Sequence, residues 1–126
     1  MMRPRSAAAA AVLIALLAGS GCRQAPPSHQ VAAGCASAAP QAAEVTAALL
    51  DGRADPAPRR VPVALDSLVR LRVSTDRAVE VHVHGYDFAY EAQPGQPRCV
   101  SFVADLAGLF DVEAHPDTLL VQLEVR

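Results

Sequence analysis

The chain has 126 residues and a formal net charge of −2 at pH 7, from 11 basic and 13 acidic side chains. This length is enough for one small domain. Acidic and basic residues are interspersed without a basic stripe, which argues against a nucleic-acid partner. Hydrophobic residues make up 52% of the chain, but the alanine-rich N-terminus inflates that fraction, so it overstates the core.

Residues 1–21 have the features of a bacterial export signal. Two arginines precede an apolar run over residues 7–18, which is too short to span a bilayer but suits a signal peptide. The small residues that follow, ending at Cys22, resemble a lipobox, in which the cysteine after the cleavage point carries diacylglycerol. Gly19 departs from that pattern, because leucine is usual at its place. The sequence therefore predicts a lipid anchor at Cys22, with an ordinary secreted protein or a plain membrane anchor as alternatives.

Residues 22–42 are predicted to be a flexible linker, because proline, glycine and small residues dominate and little apolar surface could be buried. Cys35 lies in this segment. Exported cysteines tend to form disulfides, and if Cys22 is acylated only Cys99 is left as a partner. A Cys35–Cys99 disulfide would attach the linker to the domain, but spacing alone does not establish the pair.

From residue 43 to residue 126 the sequence predicts an all-β domain. Apolar residues alternate with polar ones, which is typical of half-buried strands, and glycine, proline and aspartate separate the runs. About eight short strands at this spacing indicate a sandwich or barrel. The alternating apolar sets are Val61, Val63 and Leu65; Val69, Leu71 and Val73; Val79, Val81 and Val83; Tyr86, Phe88 and Tyr90; Val100, Phe102 and Ala104; Phe110, Val112 and Ala114; and Leu119, Val121, Leu123 and Val125.

The stretch over residues 79–87 carries two closely spaced histidines. Because side chains alternate along a strand, its three valines share one face, and Glu80, His82 and His84 share the other. The two imidazoles are then expected roughly 7 Å apart, from a rise of about 3.4 Å per residue. That spacing allows the pair to chelate one metal ion, and it is equally consistent with a solvated strand face.

Several runs of the domain resemble cupredoxin-like domains of exported bacterial proteins. They are residues 61–73, the His-Val-His-Gly-Tyr-Asp run within 80–87, residues 100–105 and 108–112, and the final strand. The resemblance covers residues 43–126. It implies a cupredoxin-like Greek-key β-sandwich of about seven to eight strands, and it raises the question of a copper site at one end.

The chain departs from the blue-copper members of that family. Such a site takes its defining bond from a cysteine thiolate, and Ala114 stands where that cysteine would be expected. His115 follows, but no second histidine comes after it, and residues 43–126 contain no methionine. Cys99 lies on a different strand. We therefore do not expect type 1 copper or blue-copper electron transfer.

A thiolate-free site is the remaining metal hypothesis. His82, His84 and His115 would form it if the last loop lies beside the strand, with an oxygen from Asp87 or Glu80. Imidazole suits Cu(II), Zn(II) and Ni(II), and Cu(II) binds most tightly. The alternative is that two histidines are a solvated strand face and His115 an ordinary turn residue.

Two functions follow from these alternatives. In the first, an exported, lipid-anchored domain handles copper or a similar divalent ion as a carrier or buffer. In the second, a metal-free anchored β-sandwich binds an unidentified protein partner through loops or an edge strand. Neither is an enzyme, because the sequence shows no phosphate-binding loop and no activated nucleophile. Both place the domain outside the cytoplasm of a bacterium, in the periplasm or at the cell surface.

Overall fold

The computed structural model describes residues 32–35 and 41–126. The predicted signal segment 1–21, Cys22 and most of the predicted linker lie outside these residues. The described part of the chain contains ten strands, and no helix in it could cross a membrane. The strands are β1 (Ala32–Ala33), β2 (Ala43–Leu50), β3 (Arg53–Asp55), β4 (Arg60–Val63), β5 (Leu68–Thr75), β6 (Val79–Val83), β7 (Phe88–Ala92), β8 (Arg98–Val103), β9 (Gly108–Ala114) and β10 (Thr118–Val125).

The strands form two five-stranded sheets. Sheet I has the order β1-β8-β5-β2-β3, and sheet II has the order β4-β10-β9-β6-β7. Pairing is antiparallel except between β2 and β5 and between β4 and β10, which are parallel. The all-β prediction is therefore confirmed.

The core lies between the two sheets and follows the alternation of the sequence. On β6, Val79, Val81 and Val83 are buried, and the residues between them face away from the core. Apolar side chains at alternate positions of β2, β5 and β8 meet those of sheet II, which is how two sheets bury their inner faces. The largest fully buried side chains are Tyr86, Phe102, Leu71, Leu120, Leu123, Val45, Val69, Val73, Val81, Val83, Val112 and Val121.

Two predicted core positions are wrong. Leu65 lies beyond the end of β4 and is 43% exposed, because the strand ends at Val63 and the chain turns toward β5. In β10, the register with β9 shifts between Leu119 and Val121. This bulge inserts Leu120 as an extra residue, so Leu120 is fully buried while Leu119 is only partly buried.

Strands β1, β2 and β3 were not among the predicted alternating sets. The inward positions of β2 and β3 include Ala47 and Ala54, and alanine gives a weak hydrophobic signal. Strand β1, which lies within the predicted linker, pairs with β8. The structure joins Cys35 to Cys99 in a disulfide whose Cα atoms are 5.7 Å apart, which attaches this segment to sheet I.

Tyr86 lies in the turn between β6 and β7 and not on the predicted strand with Phe88 and Tyr90. Its ring is buried, with centroids 5.0 Å from Phe102 and 4.9 Å from Phe110. The Tyr86 hydroxyl donates to the Leu106 carbonyl at 3.0 Å. Tyr86 therefore packs in the core and closes one end of the sandwich.

Candidate functional site

The outer face of sheet II carries the histidines that the sequence singles out. His82 on β6 is directly opposite Glu113 on β9. Beyond the C-terminal end of β6, the His84 amide donates to the Asp111 carbonyl at 2.9 Å. Near the N-terminal end of β6, the Glu80 carbonyl accepts from the His115 amide at 2.9 Å. Each row across the two strands thus places a histidine beside a carboxylate. We call this surface the histidine face; it consists of Glu80, His82, His84, Asp111, Glu113 and His115.

The rings of His82 and His84 lie side by side. Their centroids are 4.3 Å apart, and the ring planes are tilted by 47°. This distance is shorter than the strand spacing of roughly 7 Å between residues two apart, so the rings lean toward each other. The two imidazoles are close enough to offer nitrogen ligands to one small ion.

Two histidine–carboxylate contacts flank the pair. The Nε2 atom of His84 is 2.8 Å from Oε2 of Glu113, with side chains 45% and 29% exposed. The Nε2 atom of His115 is 3.4 Å from Oε1 of Glu80, and those side chains are 57% and 46% exposed. The first contact is a hydrogen bond of good length, whereas the second is longer and more exposed to solvent.

His115 and Asp87 are placed differently from the histidine pair. The last loop does return beside β6, as the metal hypothesis requires, but it brings His115 to Glu80, at the end of the strand away from His84. Asp87 lies in the turn after β6 with φ of 51°. Among residues 32–35 and 41–126, no three His, Cys, Asp or Glu side chains converge closely enough to hold a metal ion.

Glu113 is a site residue that sequence reasoning missed. The sequence did indicate which face Glu113 occupies, because Val112 and Ala114 on either side of it alternate with polar residues and are buried. The same alternation places Asp111 and His115 on the outer face with Glu113. What the sequence lacked was the β6–β9 pairing and its register. Only that register places Glu113 opposite His82 and within reach of His84.

No thiolate lies on the histidine face. Ala114, which stands where a blue-copper cysteine is expected, is fully buried at the end of β9. The Cys99 sulfur is bonded to Cys35, and it belongs to sheet I. The donors that the described residues offer on this face are imidazole nitrogens and carboxylate oxygens, which suit a borderline divalent ion.

Comparison with known proteins gives similarity in structure only. No protein-family model matches the chain, and no curated protein matches it. A multi-copper oxidase from Pediococcus acidilactici superposes with a TM-score of 0.59 at 11% identity, over 73% of this chain and 28% of that one. The periplasmic domain of subunit II of cytochrome oxidase (CoxB) from Bradyrhizobium japonicum gives 0.52 at 15% identity, over 67% of this chain and 83% of that domain.

A multi-copper oxidase from Pseudomonas thermotolerans gives a TM-score of 0.52 at 11% identity, over 66% of this chain and 32% of the oxidase. The chain thus spans less than a third of each of these two oxidases. At such identities the likeness concerns the fold and not the activity. Together with the two-sheet topology, it shows that this chain has a cupredoxin-like β-sandwich fold.

Proposed function

We propose that this domain binds Cu(II), or a similar divalent ion, through His82 and His84 and acts in metal handling outside the cytoplasm. The observation that carries the proposal is the approach of the two imidazole rings to 4.3 Å between centroids. Neutral imidazole is the commonest protein ligand for such ions, and Cu(II) has the highest intrinsic affinity among them.

An open strand face suits transfer of the ion better than permanent storage. Both histidines are partly exposed. A site with two imidazoles and exposed remaining positions leaves room for water or for a donor from a partner protein. We therefore propose a carrier or buffer and not an enzyme.

Electron transfer through a blue-copper centre is not part of this proposal. That centre depends on a copper–thiolate bond. Ala114 provides no thiolate, and the disulfide with Cys35 occupies Cys99. Similar folds occur in multi-copper oxidases and in a periplasmic cytochrome oxidase domain, which supports copper as the ion of this proposal.

The cellular location is proposed from the N-terminus together with the disulfide. An export signal over residues 1–21 and a lipid on Cys22 would hold the domain at a membrane surface, outside the cytoplasm. The Cys35–Cys99 disulfide fits an oxidising compartment. Cells grown with a radiolabelled fatty acid should label the unchanged chain and not a Cys22→Ser chain, and equal labelling of both would contradict the lipid anchor.

The binding proposal is tested by titrating the purified chain with Cu(II) in a calorimeter at neutral pH and recording thermal unfolding in parallel. We expect one equivalent to bind and raise the melting temperature, because a ligand that binds only the folded state stabilises it. The double variant His82→Ala/His84→Ala should lose both effects. His29→Ala is the matched control, because the proposal does not use His29, and unchanged binding in the double variant would contradict the proposal.

A metal-free interaction module is the second candidate. Three leucines are exposed at the end of the sandwich formed by the loops over residues 64–67 and 104–107 and by the start of β9. Leu65 is 43%, Leu106 39% and Leu109 47% exposed. Single exposed apolar side chains are common on protein surfaces, so the grouping of three at one end is the observation that favours this candidate. Partner capture that survives the double histidine change but fails in a Leu106→Asp/Leu109→Asp variant would favour this candidate. Capture that requires added metal would count against it.

A further inference from the structure

The hydrogen bond between His84 and Glu113 determines which nitrogen of His84 is available. Glu113 Oε2 lies 2.8 Å from His84 Nε2. An ionised carboxylate can only accept hydrogen bonds, so Nε2 must carry the proton. A neutral imidazole has one protonated nitrogen and one free lone pair. The free lone pair of His84 is therefore on Nδ1.

The neighbouring residues explain why His84 pairs with Glu113 and not with the carboxylate directly opposite. The backbone of His84 pairs with Asp111, but the Asp111 carboxylate accepts a hydrogen bond from Gln122 Nε2 at 2.8 Å. His84 instead reaches diagonally to Glu113, which is opposite His82. This diagonal contact also draws the His84 ring toward His82, which accounts for the separation of 4.3 Å between centroids.

We propose that Glu113 is the positioning residue of the metal site: it holds His84 in the Nε2–H form, so that Nδ1 is the nitrogen presented to the ion beside His82. This inference rests on the proposed function. A carboxylate that accepts the second N–H of a ligating imidazole fixes its tautomer and orientation, and its loss typically weakens metal binding by about 10–100-fold. We expect a loss of that size for Glu113→Ala.

The matched control is the other histidine–carboxylate pair. His115 and Glu80 are 3.4 Å apart, and both are more exposed than His84 and Glu113. Glu80→Ala removes a carboxylate from the same face, close to His82 but not bonded to His84. It should leave the tautomer of His84 unchanged, since surface contacts of this kind contribute little.

The test is a long-range ¹H–¹⁵N correlation spectrum of the full chain labelled on histidine nitrogens. It is recorded at about pH 8. We expect His84 in the Nε2–H form in the unchanged chain and in Glu80→Ala, and a mixture of tautomers in Glu113→Ala. The backbone amide spectrum of each variant verifies folding. An Nδ1–H form in the unchanged chain, or the same tautomer in Glu113→Ala, would overturn the role of Glu113.

Addition of Zn(II), a diamagnetic ion with similar ligand preferences, separates this inference from the function on which it rests. We expect the largest change at His84 Nδ1. A change at Nε2 would overturn the positioning role while leaving metal binding intact. An absence of change at both His82 and His84 would overturn the proposed function, and with it the assignment of a metal-facing nitrogen.

Discussion

Gly85 separates His84 from Tyr86 at a point where the backbone has φ of 78°. This left-handed conformation is unfavourable for residues with a side chain. A Cβ atom on Gly85 would also overlap the ring of Phe110, which contacts the buried Tyr86 ring. The glycine therefore lets one short turn place a partly exposed histidine before it and a core tyrosine after it.

The substitution Gly85→Ala tests this packing. Left-handed backbone costs about 1–2 kcal/mol, and displacement of a packed ring adds about 1–3 kcal/mol. Gly95→Ala is the matched control, because Gly95 has a similar φ of 70° with open space around it, so only the backbone cost applies. Urea denaturation should show a larger loss of unfolding free energy for Gly85→Ala, and equal losses would contradict the contact with Phe110.

Tyr90 gives a prediction on pH dependence. Its hydroxyl is buried and has no hydrogen-bond partner among the described residues, and burial raises the pKa of the Tyr90 phenol. Because the pKa of Tyr90 in the folded chain exceeds the ordinary value of about 10, the folded chain holds the phenol proton more tightly than the unfolded chain does. The resulting contribution to the unfolding free energy is fully present below about pH 10. It is lost progressively as the pH rises above about 10.

The variant Tyr90→Phe should therefore be as stable as the unchanged chain at pH 7, or more stable by about 1 kcal/mol, and should lose less stability at high pH. Tyr86→Phe is the control. Burial also raises the Tyr86 pKa, but its hydroxyl bonds the Leu106 backbone, so its removal should cost about 1 kcal/mol at pH 7. Denaturation curves at pH 7 and at a pH above about 10 measure these effects. A Tyr90→Phe chain that is less stable than the unchanged chain at pH 7 would contradict the account.

At the scale of the element, the bulge in β10 determines which leucine enters the core. The substitution Leu120→Ala should cost about 2–5 kcal/mol, as for other buried leucines. Leu119→Ala, one residue earlier, should cost about 1 kcal/mol or less, because its side chain is only partly buried. Chemical denaturation of the two variants compares them directly. The reverse order would mean that β10 follows the unbroken alternation predicted from sequence.

A disulfide joins β8 to the segment that carries β1, and its two cysteines are 64 residues apart in sequence. In the chain-entropy model a loop of this size contributes about 4 kcal/mol, and measured values are typically about 2–4 kcal/mol. The variant Cys35→Ala/Cys99→Ala should lose that amount in urea denaturation. Its Gly34 amide, which donates to the Cys99 carbonyl at 2.8 Å, should also exchange faster with solvent. Cys22→Ala is the control, and similar stability in all three chains would contradict a structural role for the disulfide.

At the scale of the whole molecule, alternation in the sequence predicted which face of β6 is buried and which carries the histidines. It could do so because Val79, Val81 and Val83 give an unambiguous period of two. It could not place Glu113, because cross-strand register depends on which distant strands pair. It also failed at Leu120, because a bulge breaks the period without leaving a sequence signal.

The two outer faces of the sandwich differ in chemistry. Sheet I presents Arg72 and the Arg70–Glu44 ion pair, with N···O of 2.6 Å, whereas sheet II presents the histidine face. The N-terminal segment joins the domain through β1 at the edge of sheet I. From Cys22 to Ala32 the chain can extend at most about 35 Å. A lipid on Cys22 would therefore tether the domain through sheet I, and the proposed metal site lies on the other sheet.

The most direct test of the central claim is electron paramagnetic resonance of the chain loaded with one equivalent of Cu(II). Nitrogen couplings in the pulsed spectrum count the imidazoles bound to copper. We expect two imidazoles in the unchanged chain and in His29→Ala, and loss of that signal in His82→Ala/His84→Ala. Couplings that persist unchanged in the double variant, or copper that shows no imidazole coupling in the unchanged chain, would contradict copper binding by this pair.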